Sequence, residues 1–209
     1  MKVKICGIRT IEDAKFAEAN GADFIGFVFA PSKRRVSIEE AAEIVSHLSE
    51  KSKIVGVFVN ESLENMIRIA KAVQLDYIQL HGNELPLVAK ELPYPVIKAF
   101  SVGKTDPEII KHYPCDYLLL DSPGTTYEGG SGKTFDWSKL DKLDFNKNKF
   151  ILAGGLTPEN VNKAIKFTNP IGVDVSSGVE STGNKDQTKI KQFIYNAKAE
   201  RKVEENDTI

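Results

Sequence analysis

Eight short apolar runs, each followed by a connecting stretch that is mostly of helical periodicity, constrain the fold of this chain more than any other feature. The runs are VKIC (3–6), DFIGFVF (23–29), KIVGVFV (53–59), DYIQL (76–80), PVIKAF (95–100), CDYLLLD (115–121), KFILAGG (149–155) and IGVDV (171–175). Their near-continuous hydrophobicity is that of parallel strands buried on both faces. Between them apolar residues recur at helical spacing. Ala41, Ile44, Val45 and Leu48 form one set, and Leu63, Met66, Ile67 and Ala70 a second. Leu85, Val88, Ala89 and Leu92 form a third, and Ile190, Phe193, Ile194 and Ala197 a fourth. Each set predicts a helix with one buried face. Thr10-x-x-Asp13 and Ser37-x-x-Glu40 have capping-box spacing, and Thr157-Pro158 places an N-cap before a first-turn proline. Strand and helix alternating eight times predict one α/β domain, a closed (β/α)8 TIM barrel over residues 1–198, with a frayed charged tail at 199–209. The rival, an open doubly wound sheet, would carry Gly-x-Gly-x-x-Gly after its first strand, which is absent. The segment between the sixth and seventh runs is the least regular, with room for a short helix near 137–141.

Several function classes are disfavoured at once. With 28 basic and 29 acidic residues the net charge is −1, so no basic field invites nucleic acid or a membrane surface. No apolar stretch approaches the ~20 residues that span a bilayer, and MKVKICGIRT runs into a strand without a signal-peptide core. Cys6 and Cys115 lack metal-ligand spacing and read as reduced thiols of a cytoplasmic protein. YEGGSGKT (127–134) resembles a nucleotide loop, but the phosphate-cradling pattern requires glycine where Tyr127 stands.

In such barrels the chemistry sits at the C-terminal ends of the strands. Strand seven ends in Gly154-Gly155 and strand eight in Asp174-Val175-Ser176-Ser177-Gly178. Glycines admit close backbone approach to a ligand, and these two loops are where barrels commonly hold phosphate. Tight strand-to-helix turns are the bland alternative. Strand one ends in Cys6, either an inert buried thiol or, beside positive charge, a base. Strand six ends in Asp121, either a turn-opening residue or a desolvated carboxyl able to donate a proton. The basic run Lys33-Arg34-Arg35 is a solvated loop or a carboxylate clamp. His81 is a further candidate substrate contact. Lys98, inside a strand, is a snorkelling side chain or a Schiff-base amine.

KICGI (4–8), GFVFAPSKRRVS (26–37), VGVFVN (55–60), QLHG (79–82), LLLDS (118–122), GGSGKTFDW (129–137), LAGGLTPENV (152–161) and VDVSSGVE (173–180) closely resemble the phosphoribosylanthranilate isomerase family of tryptophan biosynthesis. The resemblance implies a cofactor-free, metal-free Amadori rearrangement of a phosphorylated sugar–anthranilate, carried out by a monomer or homodimer. It implies Asp121 as general acid, Cys6 as general base and Arg34 as the holder of the anthranilate carboxylate. Gly154, Gly155, Asp174, Ser176 and Ser177 fall in the two phosphate-holding segments, where Asp174 would orient a neighbouring donor or a sugar hydroxyl. The Gly-rich loop after Asp121 would be a mobile cover. Arg9 departs from the family, which often has Thr there. Competing readings are a Schiff-base aldolase using Lys98, an indole-glycerol-phosphate synthase, and a non-catalytic phospho-metabolite sensor.

Overall fold

Each apolar run becomes a strand, and the strands pair in sequence order until the last returns to the first. The structure, a computed structural model, describes residues 1–121, 140 and 146–199. Strands β1 (Lys2–Cys6), β2 (Phe24–Val28), β3 (Lys53–Phe58), β4 (Tyr77–Leu80), β5 (Val96–Ser101), β6 (Tyr117–Asp121), β7 (Phe150–Ala153) and β8 (Gly172–Val175) close a parallel barrel. Helices α1 (Ile11–Ala19), α2 (Ile38–Ser46), α3 (Leu63–Val73), α4 (Pro86–Glu91), α5 (Pro107–His112), α6 (Val161–Thr168) and α7 (Gln187–Ala199) are the described helices of the outer layer. A hairpin that the sequence reading did not anticipate, β9 (Glu180–Ser181) with β10 (Asn184–Lys185), sits between β8 and α7. The expected short helix near 137–141 and the expected tail beyond Ala199 lie largely outside the described residues.

Strands buried on both faces feed two cores. Phe24, Val55, Ile97, Ala99, Leu119, Ile151 and Ala153 fill the barrel, while Ile5, Ile25, Ile78, Phe193 and Ile194 belong to the layer between barrel and helices. At the N-terminal end Phe24 meets Tyr77 edge-on at 5.6 Å and Tyr117 at 6.1 Å, an aromatic floor from alternate strands. Register at that end is pinned by three aspartates just before β2, β4 and β6. Asp23, Asp76 and Asp116 accept from the backbone N–H of Val3, Ile54 and Val96 at 2.9, 2.8 and 2.8 Å.

Ser37 and Glu40 form the full reciprocal capping box, with Glu40 N–H to Ser37 Oγ at 3.1 Å and Ser37 N–H to Glu40 Oε2 at 2.7 Å. Thr10 caps Asp13 N–H at 3.1 Å, but the Asp13 carboxylate accepts from the Thr10 hydroxyl rather than from its backbone. Two expectations need correcting. Thr157 does not cap a helix at Pro158, because α6 begins at Val161. The Asn160 side chain instead bridges Thr157 N–H and the Gly155 carbonyl, fixing a turn ahead of the helix. Leu85 is not on a buried helical face; it is the residue before α4 and is 69% exposed.

Candidate active site

Side chains alternate along a strand, so each strand aims every second residue at the barrel axis. With Tyr77 and Leu119 in the inner core, β4 continues inward through Gln79 toward His81, and β6 ends on Asp121. Lys4 and Asp174 meet inside the barrel as register partners on β1 and β8, and Cys6 and Ser176 follow two residues later. Cys6, His81, Asp121 and Ser176 therefore come together at the C-terminal mouth, the end where barrels place their chemistry.

At one side of the mouth His81 Nε2 lies 3.9 Å from Asp121 Oδ2. His81 Nδ1 is 2.9 Å from the Gln79 side-chain nitrogen. An amide donating to Nδ1 leaves the imidazole proton on Nε2, the atom nearer Asp121. Burial holds His81 below its ordinary pKa, which favours that neutral form. Burial, reinforced by the Asp174 carboxylate, pushes Asp121 up to about 6, so an appreciable fraction keeps its proton near neutrality.

Beneath the mouth, Lys4 Nζ and Asp174 Oδ1 are 2.8 Å apart, and the Lys4 side chain is 0% exposed. Burial opposes the ammonium, but Asp174 and a negative Cys6 more than offset it and raise Lys4 above its usual pKa. Asp174 thus serves Lys4 directly, a cation on a strand interior that must be paired. The space between sulfur and ammonium is kept by Gly26. A Cβ there would stand 3.1 Å from both Cys6 Sγ and Lys4 Nζ.

At the other side Arg34 grips Glu180, Nε to Oε1 at 2.6 Å and Nη2 to Oε2 at 2.8 Å. Lys185 Nζ reaches the same Oε1 at 3.0 Å and the Ser176 carbonyl at 2.9 Å. Burial would raise the Glu180 carboxyl, but Arg34 and Lys185 carry it down to about 2. Burial lowers Lys185 despite Glu180, while the Glu180 hydrogen bond raises Arg34; a negative Cys6 adds a smaller upward pull on both, so Lys4, Arg34 and Lys185 all stand within electrostatic reach of the sulfur. Arg35 lines a cavity of about 380 Å³ with Arg9, Asp13 and Glu40, and Gly7, Glu180 and Lys185 border the same cavity. Arg9 ties three loops together, donating to the carbonyls of Lys33 and Gly183 at 3.1 and 3.2 Å and to Asn184 Oδ1 at 2.7 Å.

The loops after β7 and β8 meet backbone to backbone. A Cβ on Gly178 would fall 1.8 Å from the Leu156 carbonyl oxygen, so only glycine fits. Gly154 and Gly155 are left-handed at φ 85° and 63°, and the space beside Gly155 is open. Ser176 precedes a single 3₁₀ turn, Ser177–Val179.

Lys98 is not a candidate amine. Ile97 and Ala99 point into the barrel, so Lys98 points outward, its Nζ held by Gly82 O at 2.6 Å, Glu84 Oε2 at 2.9 Å and Leu80 O at 3.3 Å. Among the described residues no three His, Cys, Asp or Glu side chains cluster as metal ligands, and no helix is long and apolar enough to cross a membrane. The Gly-rich stretch read as a cover lies outside the described residues. Sequence reasoning missed Lys4, Gln79, Glu180 and Lys185 as site residues.

Comparison with known proteins places the chain as a whole beside one family of enzymes. The family profile described as N-(5'phosphoribosyl)anthranilate (PRA) isomerase covers residues 3–196. The N-(5'-phosphoribosyl)anthranilate isomerase of Listeria monocytogenes serovar 1/2a is 52% identical over 200 residues, spanning 95% of this chain and 98% of its own. A crystal structure of the Thermotoga maritima enzyme, which is described as dimeric, superposes with a TM-score of 0.85 at 46% identity, over 95% of this chain and 99% of that one. Another isomerase structure, in complex with reduced 1-(o-carboxyphenylamino)-1-deoxyribulose 5-phosphate, gives a TM-score of 0.80 at 40% identity, covering 95% and 99%.

Proposed function

The chain belongs to the N-(5'-phosphoribosyl)anthranilate isomerase family, and we propose that within the family's reaction Cys6 is its general base and Asp121 its general acid. The reaction is an aldose-to-ketose isomerisation in tryptophan biosynthesis. N-(5-phospho-β-D-ribosyl)anthranilate becomes 1-(2-carboxyphenylamino)-1-deoxy-D-ribulose 5-phosphate. Neutral Asp121 gives its proton to the furanose ring oxygen as the bond from that oxygen to C1′ breaks, leaving an iminium. The Cys6 thiolate then takes the proton from C2′, and the electron pair moves into an enolamine. Tautomerisation of the enolamine gives the ketone, and proton exchange restores thiolate and acid.

One observation carries this reading: a single buried ion pair turns its positive end to the base and its negative end to the acid. Lys4 stands beside Cys6, and Asp174 acts on Asp121. Each group needs the state it would least favour alone at neutral pH; burial together with Asp174 keeps the proton on Asp121, and the Lys4 ammonium beside Cys6 offers a thiolate its counter-charge. Arg34 holds the anthranilate carboxylate, and the loops bearing Gly154, Gly155, Ser176 and Ser177 hold the phosphate. His81 contacts the substrate beside the acid. Anchors at both ends align the sugar between acid and base. The enzyme acts in the cytoplasm as a monomer or homodimer, needs no metal or cofactor, and the barrel of residues 1–198 is its single domain.

The test is the loss of anthranilate fluorescence on turnover of freshly generated phosphoribosylanthranilate. Cys6→Ser and Asp121→Asn should each fall by at least about a hundredfold, the range for a lost acid or base. Near-wild-type rates in either folded variant would remove that residue from its role.

A further inference from the structure

Arg34 does not stand free at the mouth. Its stem lies so close to Gly7 that a Cβ there would sit 2.6 Å from Arg34 Cδ. Its guanidinium is held by Glu180 through Nε and Nη2, and the Glu180 side chain is only 8% exposed. A guanidinium has two edges that can receive a carboxylate bidentately, the Nε–Nη2 side and the Nη1–Nη2 end. Glu180 fills the first. Among the described residues Nη1 makes no hydrogen bond, so the end edge is the one left for a second carboxylate.

Two further contacts keep Glu180 from swinging away with its partner. Lys185 Nζ binds the same Oε1 at 3.0 Å, and Lys189 Nζ binds the Glu180 backbone carbonyl at 2.8 Å. Lys185 also neutralises the carboxylate, so Arg34 keeps a net positive field toward an incoming anion. A carboxylate fixed this firmly and charge-balanced by a second cation is a support rather than a stand-in for ligand.

We propose that Glu180 is a positioning residue for substrate selection: it holds the Nε–Nη2 edge of Arg34 so that the Nη1–Nη2 end is presented to the anthranilate carboxylate. This rests on reading Arg34 as the carboxylate clamp. Glu180 touches no substrate atom in this role; it sets the direction of the residue that does. Discrimination in favour of a carboxylated aromatic ring is then a property of the pair.

The test compares the affinities of two probes, reduced 1-(o-carboxyphenylamino)-1-deoxyribulose 5-phosphate and its counterpart lacking the ring carboxylate, by titration calorimetry. The ratio of the two affinities removes effects on phosphate binding and overall fold. Wild type should favour the carboxylated probe, and Arg34→Met should abolish that preference. Glu180→Gln should lower it roughly tenfold, the double variant should match Arg34→Met, and Glu180→Asp, which keeps the charge, should restore part of it. If Arg34→Met loses the preference and Glu180→Gln keeps it, the positioning role is overturned while the clamp stands. If Glu180→Gln strengthens the preference, Glu180 is a competitor for Arg34 and the proposal is overturned. If Arg34→Met leaves the preference intact, the clamp reading itself fails. Should Glu180→Gln bind neither probe, Glu180→Asp decides alone, and an undiminished preference overturns the proposal.

Discussion

Lys4 Nζ lies 2.8 Å from Asp174 Oδ1 inside the barrel, with the lysine side chain 0% and the aspartate 11% exposed. Such a pair is not a source of stability in itself, because desolvation consumes most of the Coulomb gain. Its placement gives it a use. The positive end lies beside Cys6, and the negative end adds to burial in disfavouring charge on Asp121. One pair thus faces both reacting groups, its cation toward the sulfur and its anion toward the carboxyl.

Removing one member should leave a buried uncompensated charge. Lys4→Met and Asp174→Asn are each expected to destabilise by about 3–5 kcal/mol, and the double variant Lys4→Met/Asp174→Leu to recover most of that loss. Urea unfolding at neutral pH measures both. Single variants within about 1 kcal/mol of wild type would mean that the pair is effectively solvated.

Asp121→Asn should stabilise the fold while abolishing activity. The folded carboxyl titrates at about 6 against an ordinary 3.8. A raised acid is most favourable to folding when protonated, so wild type loses stability as pH rises from 3.8 through about 6. Asparagine does not titrate and escapes that loss. With the side chain 36% exposed, solvent screening reduces the gain to about 1 kcal/mol above pH 7. Thermal unfolding should show the difference shrinking as pH falls toward about 5. A difference that grows on acidification would reverse the sign of the argument.

Why the sequence revealed the barrel and not all of the site follows from what each signal depends on. Strands buried on both faces must be apolar almost throughout, so VKIC, DYIQL and CDYLLLD announce themselves without any tertiary knowledge. Cys6 and Asp121 inherit visibility from their positions at strand ends. Lys4 is also in a strand, where a cation is as anomalous as Lys98. What separates the two is direction, since Lys4 points into the barrel and Lys98 outward to Glu84. Glu180 and Lys185 become visible only once the β9–β10 hairpin folds back beside Arg34. Contacts across 146 residues leave no local trace in the sequence. Leu85 misled because a short helix of six residues has too little pattern to separate its buried face from its start.

The two thiols should differ sharply toward iodoacetamide at about pH 7.5. Burial pushes Cys115 up to about 11, which makes it unreactive, whereas Cys6 stands among Lys4, Arg34 and Lys185. Peptide mass spectrometry should find Cys6 modified first, with the reduced product analogue protecting it. Equal labelling, or labelling of Cys115 ahead of Cys6, would contradict the charge environment argued for the base.

Gly7→Ala should impair substrate binding more than turnover. Gly7 has φ 76°, and an added Cβ would press on Arg34 Cδ at 2.6 Å and Ser176 Oγ at 3.2 Å. Both anchors of the substrate are then displaced. A KM raised about tenfold, with kcat changed less, corresponds to the lower part of the cost of such strain. An unchanged KM in steady-state kinetics would show that Arg34 has room to move.

The most direct measurement is the titration of the Asp121 carboxyl carbon by NMR in the free enzyme, assigned by its disappearance in Asp121→Asn. A midpoint near 6 is expected, the value set by burial and Asp174. A midpoint at the ordinary 3.8 would leave Asp121 ionised at neutral pH and contradict its role as the acid that opens the ring.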